Sequence, residues 1–186
     1  MIYIIDHKDS FTHNIVHQLS KFDKNVECED FNKVNYKKLN KADVIVFSPG
    51  PGSPKDYPIS SKIYKKYKGK KKISGICLGF QQILFNESGQ IIKQDKIYHG
   101  FQSSINVISK KSLFAKYKTF KVGRYHSLKL KEPFYAKNFE VTMRCNISKV
   151  AMAIENKVEK IYGFQFHPES FLTENGNLLI KKILSA

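Results

Sequence analysis

The 186 residues are 41% hydrophobic and 26% charged, enough for one soluble domain with a substantial core rather than two, and no apolar run suits a membrane span. Three widely spaced cysteines (Cys28, Cys77, Cys145) in no metal-ligand pattern, behind an opening that turns polar at Asp6, point to reduced thiols in a cytoplasmic protein with no signal peptide. The formal net charge of +16 rests almost wholly on lysine, with Arg124 and Arg144 as the arginines, so it reads as a solvated lysine-rich surface rather than as a nucleic-acid interface.

Residues 2–5 (Ile-Tyr-Ile-Ile) form a short apolar run, a candidate buried strand. Phe11, Ile15, Val16, Leu19 and Phe22 then recur at helical spacing, with Asp9 or Ser10 available as cap. Residues 43–47 are a second buried strand, closed by the turn-forming Ser48-Pro49-Gly50-Pro51-Gly52. A lysine-rich helix is expected near 59–68, and the run from Lys65 to Lys72 is its exposed face and exit. A strand at 72–77 and a helix from about 79 to 87 follow. This alternation predicts a parallel sheet with helices on both faces. Beyond it, segments 90–98, 104–109, 119–130 and 138–155 read as shorter strands in antiparallel hairpins. A strand at 161–166 precedes a last helix near 175–184, whose apolar stripe is Leu178, Leu179, Ile183 and Leu184. The expected class is α/β: one domain over 1–186 with a mixed, mostly parallel central sheet flanked by helices and an antiparallel, strand-rich second half.

Gly75-Ile76-Cys77-Leu78-Gly79 falls where an apolar strand meets a helix, the cysteine form of the nucleophile elbow. A sharp turn there brings backbone close and leaves no room for side chains at the glycines. It projects the thiol at a helix start, where the dipole favours thiolate, and places the Leu78 N–H as an oxyanion donor. Taken alone, so short a pattern leaves a buried structural cysteine equally open. Cys28 and Cys145 lack flanking glycines and read as small buried hydrophobes.

A nucleophilic cysteine needs a base, and the base an orienting group. Of six histidines, His167 ends an apolar strand in Phe166-His167-Pro168-Glu169. Residues two apart on an extended chain share a side, so Glu169 can hold one imidazole nitrogen while the other faces a thiol. His13 and His17 read as surface or helix-packing residues. His7 lies in a strand-end loop and His99 in a turn, neither with an obvious carboxylate partner, and His126 reads as a shaping residue.

Five blocks occur in order: Asp9-Ser10-Phe11-Thr12-His13-Asn14, Ser48 to Gly52, Gly75 to Gln81, Arg124-Tyr125-His126-Ser127-Leu128 and Gly163 to Ser170. With them the whole chain resembles the class I glutamine amidotransferases, in particular the glutaminase subunits of anthranilate synthase and of 4-amino-4-deoxychorismate (para-aminobenzoate) synthase. The resemblance implies a flavodoxin-like sheet, with Cys77 as nucleophile, His167 as general base and acid, and Glu169 as its orienter. It also implies that Gly50, Pro51, Gly52 and Leu78 serve the oxyanion, while Gln81 and the His126, Ser127 and Leu128 block hold L-glutamine. The implied partner is a chorismate-binding synthase subunit (component I) in a heteromer. No metal or cofactor is expected in this chain, Mg2+ being a requirement of the synthase, and neither nucleic acid nor membrane is an expected partner. Phe80 departs from the family, most of whose members carry histidine there, and reads as a packing change. A non-catalytic glutamine-binding homologue and another cysteine hydrolase on the same fold are the competing readings. Intact Cys77, His167 and Glu169 weigh against the first, and Gln81 with His126-Ser127 against the second.

Overall fold

A computed structural model describes residues 1–186. The first half alternates β1 (Ile2–Asp6), α1 (Thr12–Ser20), β2 (Val26–Asp30), α2 (Tyr36–Lys41), β3 (Val44–Phe47), α3 (Pro58–Tyr67), β4 (Lys72–Ile76) and α4 (Leu78–Asn86). The second half is strand-rich: β5 (Ile91–Lys93), β6 (Phe101–Val107), β7 (Thr119–Arg124), β8 (Leu128–Leu130), β9 (Glu140–Cys145), β10 (Ala151–Asn156) and β11 (Ile161–Phe164), before α5 (Gly176–Ser185). One nine-stranded sheet has the order β2-β1-β3-β4-β11-β10-β9-β6-β7, and β5 and β8 form a separate pair. The strands from β2 to β11 in that order are parallel, and β10, β9, β6 and β7 join antiparallel.

Alternation along β1 explains the two-faced burial. Ile2 and Ile4 pack with Ile15 and Leu19 of α1 and Ile180 of α5. Tyr3 and Ile5 pack on the other face with Leu39 of α2, Ile63 of α3 and Phe80 of α4. Each fully buried isoleucine contributes roughly 2–3 kcal/mol relative to exposure. A third cluster joins the antiparallel strands to Leu179 and Ile183 of α5.

Strand β2 and helix α2 are absent from the expected elements, because in Val-Glu-Cys-Glu-Asp the alternation is carried by Val26 and Cys28 alone, among three acids, and every residue is half-buried. Edge position explains this: β2 pairs with β1 alone. Its acids bind inward, Glu29 accepting from the Tyr3 hydroxyl at 2.6 Å and Glu27 from Lys38 Nζ at 2.9 Å. Helix α2 is capped by Asn35, whose side chain accepts from the amides of Lys37 and Lys38.

The expected strand 90–98 is paired only over Ile91–Lys93, since Gln94 and Tyr98 direct their amides to the Ser127 and His126 carbonyls instead. The segment 119–130 divides around Tyr125–Ser127, and 138–155 divides at a turn in which Lys149 takes a φ of 57°. Helix α1 carries no side-chain cap; Asp9 Oδ1 instead accepts from the Phe11 amide one step earlier. Phe22 lies past the helix end and is exposed, and on α5 the buried residues are Leu179, Ile180 and Ile183, with Leu178 and Leu184 half-buried.

Candidate active site

Between β4 and α4 a single residue makes the turn, and it is Cys77, at φ 52° and ψ −101°. A side chain with positive φ is held there against its own preference. The glycines on either side make the turn feasible. A methyl group at Gly75 would lie 2.4 Å from the Gly79 carbonyl oxygen, and one at Gly79 would lie 2.1 Å from the Phe47 carbonyl oxygen. Backbone obstructs in both cases, so Gly79→Ala is expected to cost about 3 kcal/mol or more. Urea denaturation checks this: a midpoint unchanged from the parent chain would contradict the packing argument.

The register of β4 against β11 brings His167 to the side of the thiol. Gly75 pairs with Gly163 and Ile76 with Phe164, and the Cys77 amide donates to the Phe164 carbonyl at 2.7 Å. Cys77 and His167 therefore emerge at the same edge of adjacent parallel strands. The expected strand through Phe166 stops at Phe164, and Pro168 and Glu169 form a turn after a single bridge between His167 and Gly123. Glu169 thus reaches His167 around a turn, not along an extended chain. The outcome is a 2.6 Å hydrogen bond from His167 Nδ1 to Glu169 Oε1, with both side chains almost fully buried. The His167 backbone is pinned by its amide to the Gly123 carbonyl at 3.0 Å and by Thr173 Oγ1 to its carbonyl at 2.5 Å. Phe11 and Tyr125 rings pack beside its imidazole at 5.2 and 5.0 Å.

Burial by itself would lower the His167 pKa, but the Glu169 carboxylate and then Cys77 act against it and hold the imidazole well above its usual range. Its Nε2 and the second Glu169 oxygen are buried with no hydrogen-bond partner in the protein. A buried imidazole biased toward its charged form, with Nε2 unpartnered beside a thiol, is suited to deliver a proton to a leaving group.

A cavity of about 330 Å³ opens over Cys77, lined also by Gly50, Pro51, Gly52, Leu78, Gln81, His126, Ser127 and Leu128. His167 and Glu169 sit behind it rather than in its wall. Lys8, Asp9, Ser10 and Tyr125 complete the lining, and the sequence reading assigned none of them a place there. The signal available was position: Lys8 to Ser10 follow β1 at the edge where parallel sheets bind ligands, and Lys8 has a φ of 64°. Leu78 is the first residue of α4, so its amide has no intrahelical acceptor. Gln81 Nε2 donates to Gln165 Oε1 at 3.0 Å, and Gln165 Nε2 approaches Cys77 Sγ at 3.7 Å.

His7 turns out to be fully buried. Its Nδ1 donates to the Ser48 carbonyl at 3.0 Å and its Nε2 lies 2.9 Å from Ser60 Oγ. Burial pushes its pKa down to about 4, so it is neutral at physiological pH and braces the turn at Gly50, where an added methyl would meet His7 Cβ at 2.5 Å. His126 is likewise buried, with a pKa lowered to about 3 by burial, then by Arg124. His13, His17 and His99 are all exposed and lie outside the cavity. Phe80 is fully buried in the core with Cδ2 against Gly163. No group of three or more His, Cys, Asp or Glu is arranged to hold a metal ion, and no helix is long and apolar enough to cross a membrane. A larger groove of about 510 Å³ adjoins across Leu128, but no thiol, imidazole or carboxylate lines it.

A family model described as glutamine amidotransferase class-I matches residues 3–186. Anthranilate synthase component 2 of Lactococcus lactis subsp. lactis is 36% identical over 186 residues, spanning 100% of this chain and 94% of that protein. The protein of the same name from Buchnera aphidicola subsp. Schizaphis graminum is 36% identical over 189 residues, covering 99% of this chain and 94% of its own. Among solved structures, a Thermoplasma acidophilum protein provisionally described as part of a GMP synthase superposes with a TM-score of 0.85 at 19% identity, over 99% of this chain and 92% of that one. A Thermotoga maritima glutamine amidotransferase gives 0.76 at 14% identity, over 90% and 75%. At these identities the structural matches speak to the fold alone.

Proposed function

The chain belongs to the class I glutamine amidotransferase family, and from that premise we propose that it hydrolyses L-glutamine at Cys77 and passes the ammonia to a chorismate-using synthase subunit. The observation that carries the reading is the convergence of Cys77 on its strained turn with the buried His167–Glu169 pair at the end of the neighbouring strand.

The steps follow from the groups present. The Cys77 thiolate attacks the side-chain amide carbon, forming a C–S bond and pushing the carbonyl electrons onto oxygen. That oxyanion meets the Leu78 amide and the amides of Gly50 and Gly52, none of which has a partner within the protein; losing one such donor typically costs ~3 kcal/mol of barrier. Collapse breaks the C–N bond as His167 Nε2–H gives its proton to the departing nitrogen, yielding ammonia and a γ-glutamyl thioester. Water then attacks the thioester with His167 as base, and glutamate leaves as the thiolate is restored. Glu169 keeps the imidazole oriented throughout, and stabilises its charged form. Gln81 and the Ser127–Leu128 backbone hold the substrate's polar ends in the cavity.

The partner is read from the relatives' names, which make them second components of anthranilate synthase. Ammonia is useful as a nucleophile only while unprotonated, so it has to be consumed where solvent is excluded. Mixing the chain with an anthranilate synthase component I, chorismate, glutamine and Mg2+ is expected to give anthranilate and glutamate in equal amounts. The same assay with an aminodeoxychorismate synthase component I tells whether one glutaminase serves both routes. Absence of glutamate formation with either partner would overturn the reading.

A further inference from the structure

Arg124 is the bulkiest fully buried side chain in the molecule, and no carboxylate pairs with it. A guanidinium in that position is expensive to bury and is kept where its geometry serves a purpose. Its contacts are all to neutral or weak acceptors. Nε donates to His126 Nε2 at 3.1 Å, Nη1 reaches Cys145 Sγ at 3.3 Å and Ser148 Oγ at 3.5 Å, and the Tyr98 ring centre lies 3.5 Å from Cζ. Nη2 has no acceptor.

The decisive contact is the one to His126. Arginine has only donors, so His126 Nε2 is compelled to accept and the imidazole proton sits on Nδ1. From there it donates to the Leu128 carbonyl at 2.8 Å. The same carbonyl receives Gln81 Nε2 at 3.4 Å, and Gln81 continues through Gln165 toward the Cys77 sulfur. Gln94 fixes the opposite side, its amide donating to the Ser127 carbonyl at 2.9 Å and its Nε2 to the His126 carbonyl at 2.6 Å. With the three carbonyls of residues 126–128 committed, the Ser127 N–H and hydroxyl are left without protein partners at the cavity wall.

We propose that Arg124 is a positioning residue for glutamine: it locks His126 as the Nδ1–H tautomer and thereby holds the Ser127–Leu128 backbone in the form that receives the substrate. The proposal rests on the reading of this cavity as the glutamine site. Had the proton sat on Nε2, Nδ1 and the Leu128 carbonyl would face each other as two acceptors, and the loop would be forced open. The reacting atoms are elsewhere, so Arg124 acts on substrate affinity and not on the chemical step.

Long-range 1H–15N spectroscopy of the unaltered protein is expected to show His126 neutral with its proton on Nδ1. Finding the proton on Nε2 would overturn the proposal without recourse to any variant. Arg124→Gln is then expected to raise the KM for glutamine on the order of 10-fold, the scale of one lost hydrogen bond, with kcat within about threefold. Alkylation of Cys77 by iodoacetamide in the absence of glutamine is expected to proceed as in the parent. His126→Asn keeps a donor to the Leu128 carbonyl but has no tautomer to set, so adding Arg124→Gln to it is expected to cost no further affinity. Should Arg124→Gln fail to fold, Arg124→Met, which has no donor to offer His126 Nε2, supplies the same cycle. Equal KM effects in both backgrounds, or kcat falling with KM unchanged, would mean a role in core packing only. Because the tautomer is read without glutamine, its failure leaves the proposed function standing, whereas absence of glutamine turnover by the unaltered protein overturns both.

Discussion

Cys77→Ala is expected to abolish glutamine-dependent product formation, by on the order of 10⁴-fold or more, while the synthase partner still uses added ammonium salts. The magnitude follows from the geometry: no second thiol is near, since Cys28 lies on the edge strand β2 and Cys145 at the end of β9 beneath Arg124. Without sulfur the oxyanion site and His167 remain, but nothing forms the thioester. Folding is expected to survive, because alanine occupies the position with one atom fewer and the Gly75 and Gly79 contacts that shape the turn are backbone contacts. The check is paired: chorismate conversion with glutamine and with ammonium, at one enzyme concentration. Persistence of the glutamine reaction would remove Cys77 from the chemistry, and loss of both would indicate a failed complex. Glu169→Gln belongs to the same experiment as a graded control, since it keeps a partner for Nδ1 and removes the charge that raises the His167 pKa.

The turn at Cys77 and the core strands around it were legible because each is written in a few contiguous residues. Glycines at 75 and 79 announce a turn with no space for side chains, and the nearest atom that would obstruct a methyl at each position is backbone. The apolar runs of β1, β3 and β4 are long enough to read directly, as strands covered on both faces have to be. What escaped the sequence has a common cause, which is polarity satisfied by distant partners. Strand β2 hides its pairing behind acids that bond to Tyr3 and Lys38. Arg124 carries no local mark of burial in the sequence, yet its side chain is fully buried. His7 has no carboxylate nearby in sequence; its partners are a carbonyl 41 residues away and a hydroxyl 53 residues away. Long-range contacts of that kind leave no local pattern. The Glu169–His167 contact has another geometry than an extended chain would give, because the strand already stops at Phe164 and Pro168 and Glu169 turn the chain after the bridge at His167.

Acid is expected to destabilise the fold through His7 and His126, and this is the second large effect. In the native state their pKa values are held near 4 and near 3 by burial, against about 6.5 for an unfolded histidine. The unfolded chain therefore binds protons that the folded chain refuses. Depressed values of this sign give stability that is fully present above the unfolded pKa, lost progressively as pH falls below it, and gone once pH passes the folded values. At about 1.4 kcal/mol per unit, the sites contribute ~3 kcal/mol for His7 and ~5 kcal/mol for His126, a sizeable part of the 5–15 kcal/mol typical of a domain. His167 has the opposite sign: its raised pKa gives stability fully present below the unfolded value and lost as pH rises through the folded one. It therefore does not steepen the acid slope. Urea denaturation between pH 7 and pH 4 is expected to show a loss of several kcal/mol. His7→Asn, whose amide can still reach the Ser48 carbonyl, is expected to lower stability at pH 7 and to flatten the slope by about the His7 share. A slope identical in the variant would mean that His7 is charged, or solvated, in the folded protein. The same neutrality leaves His7 Nε2 able to accept from the Ser60 hydroxyl and His126 Nε2 able to accept from Arg124, two contacts beside the cavity that a second ring proton would break.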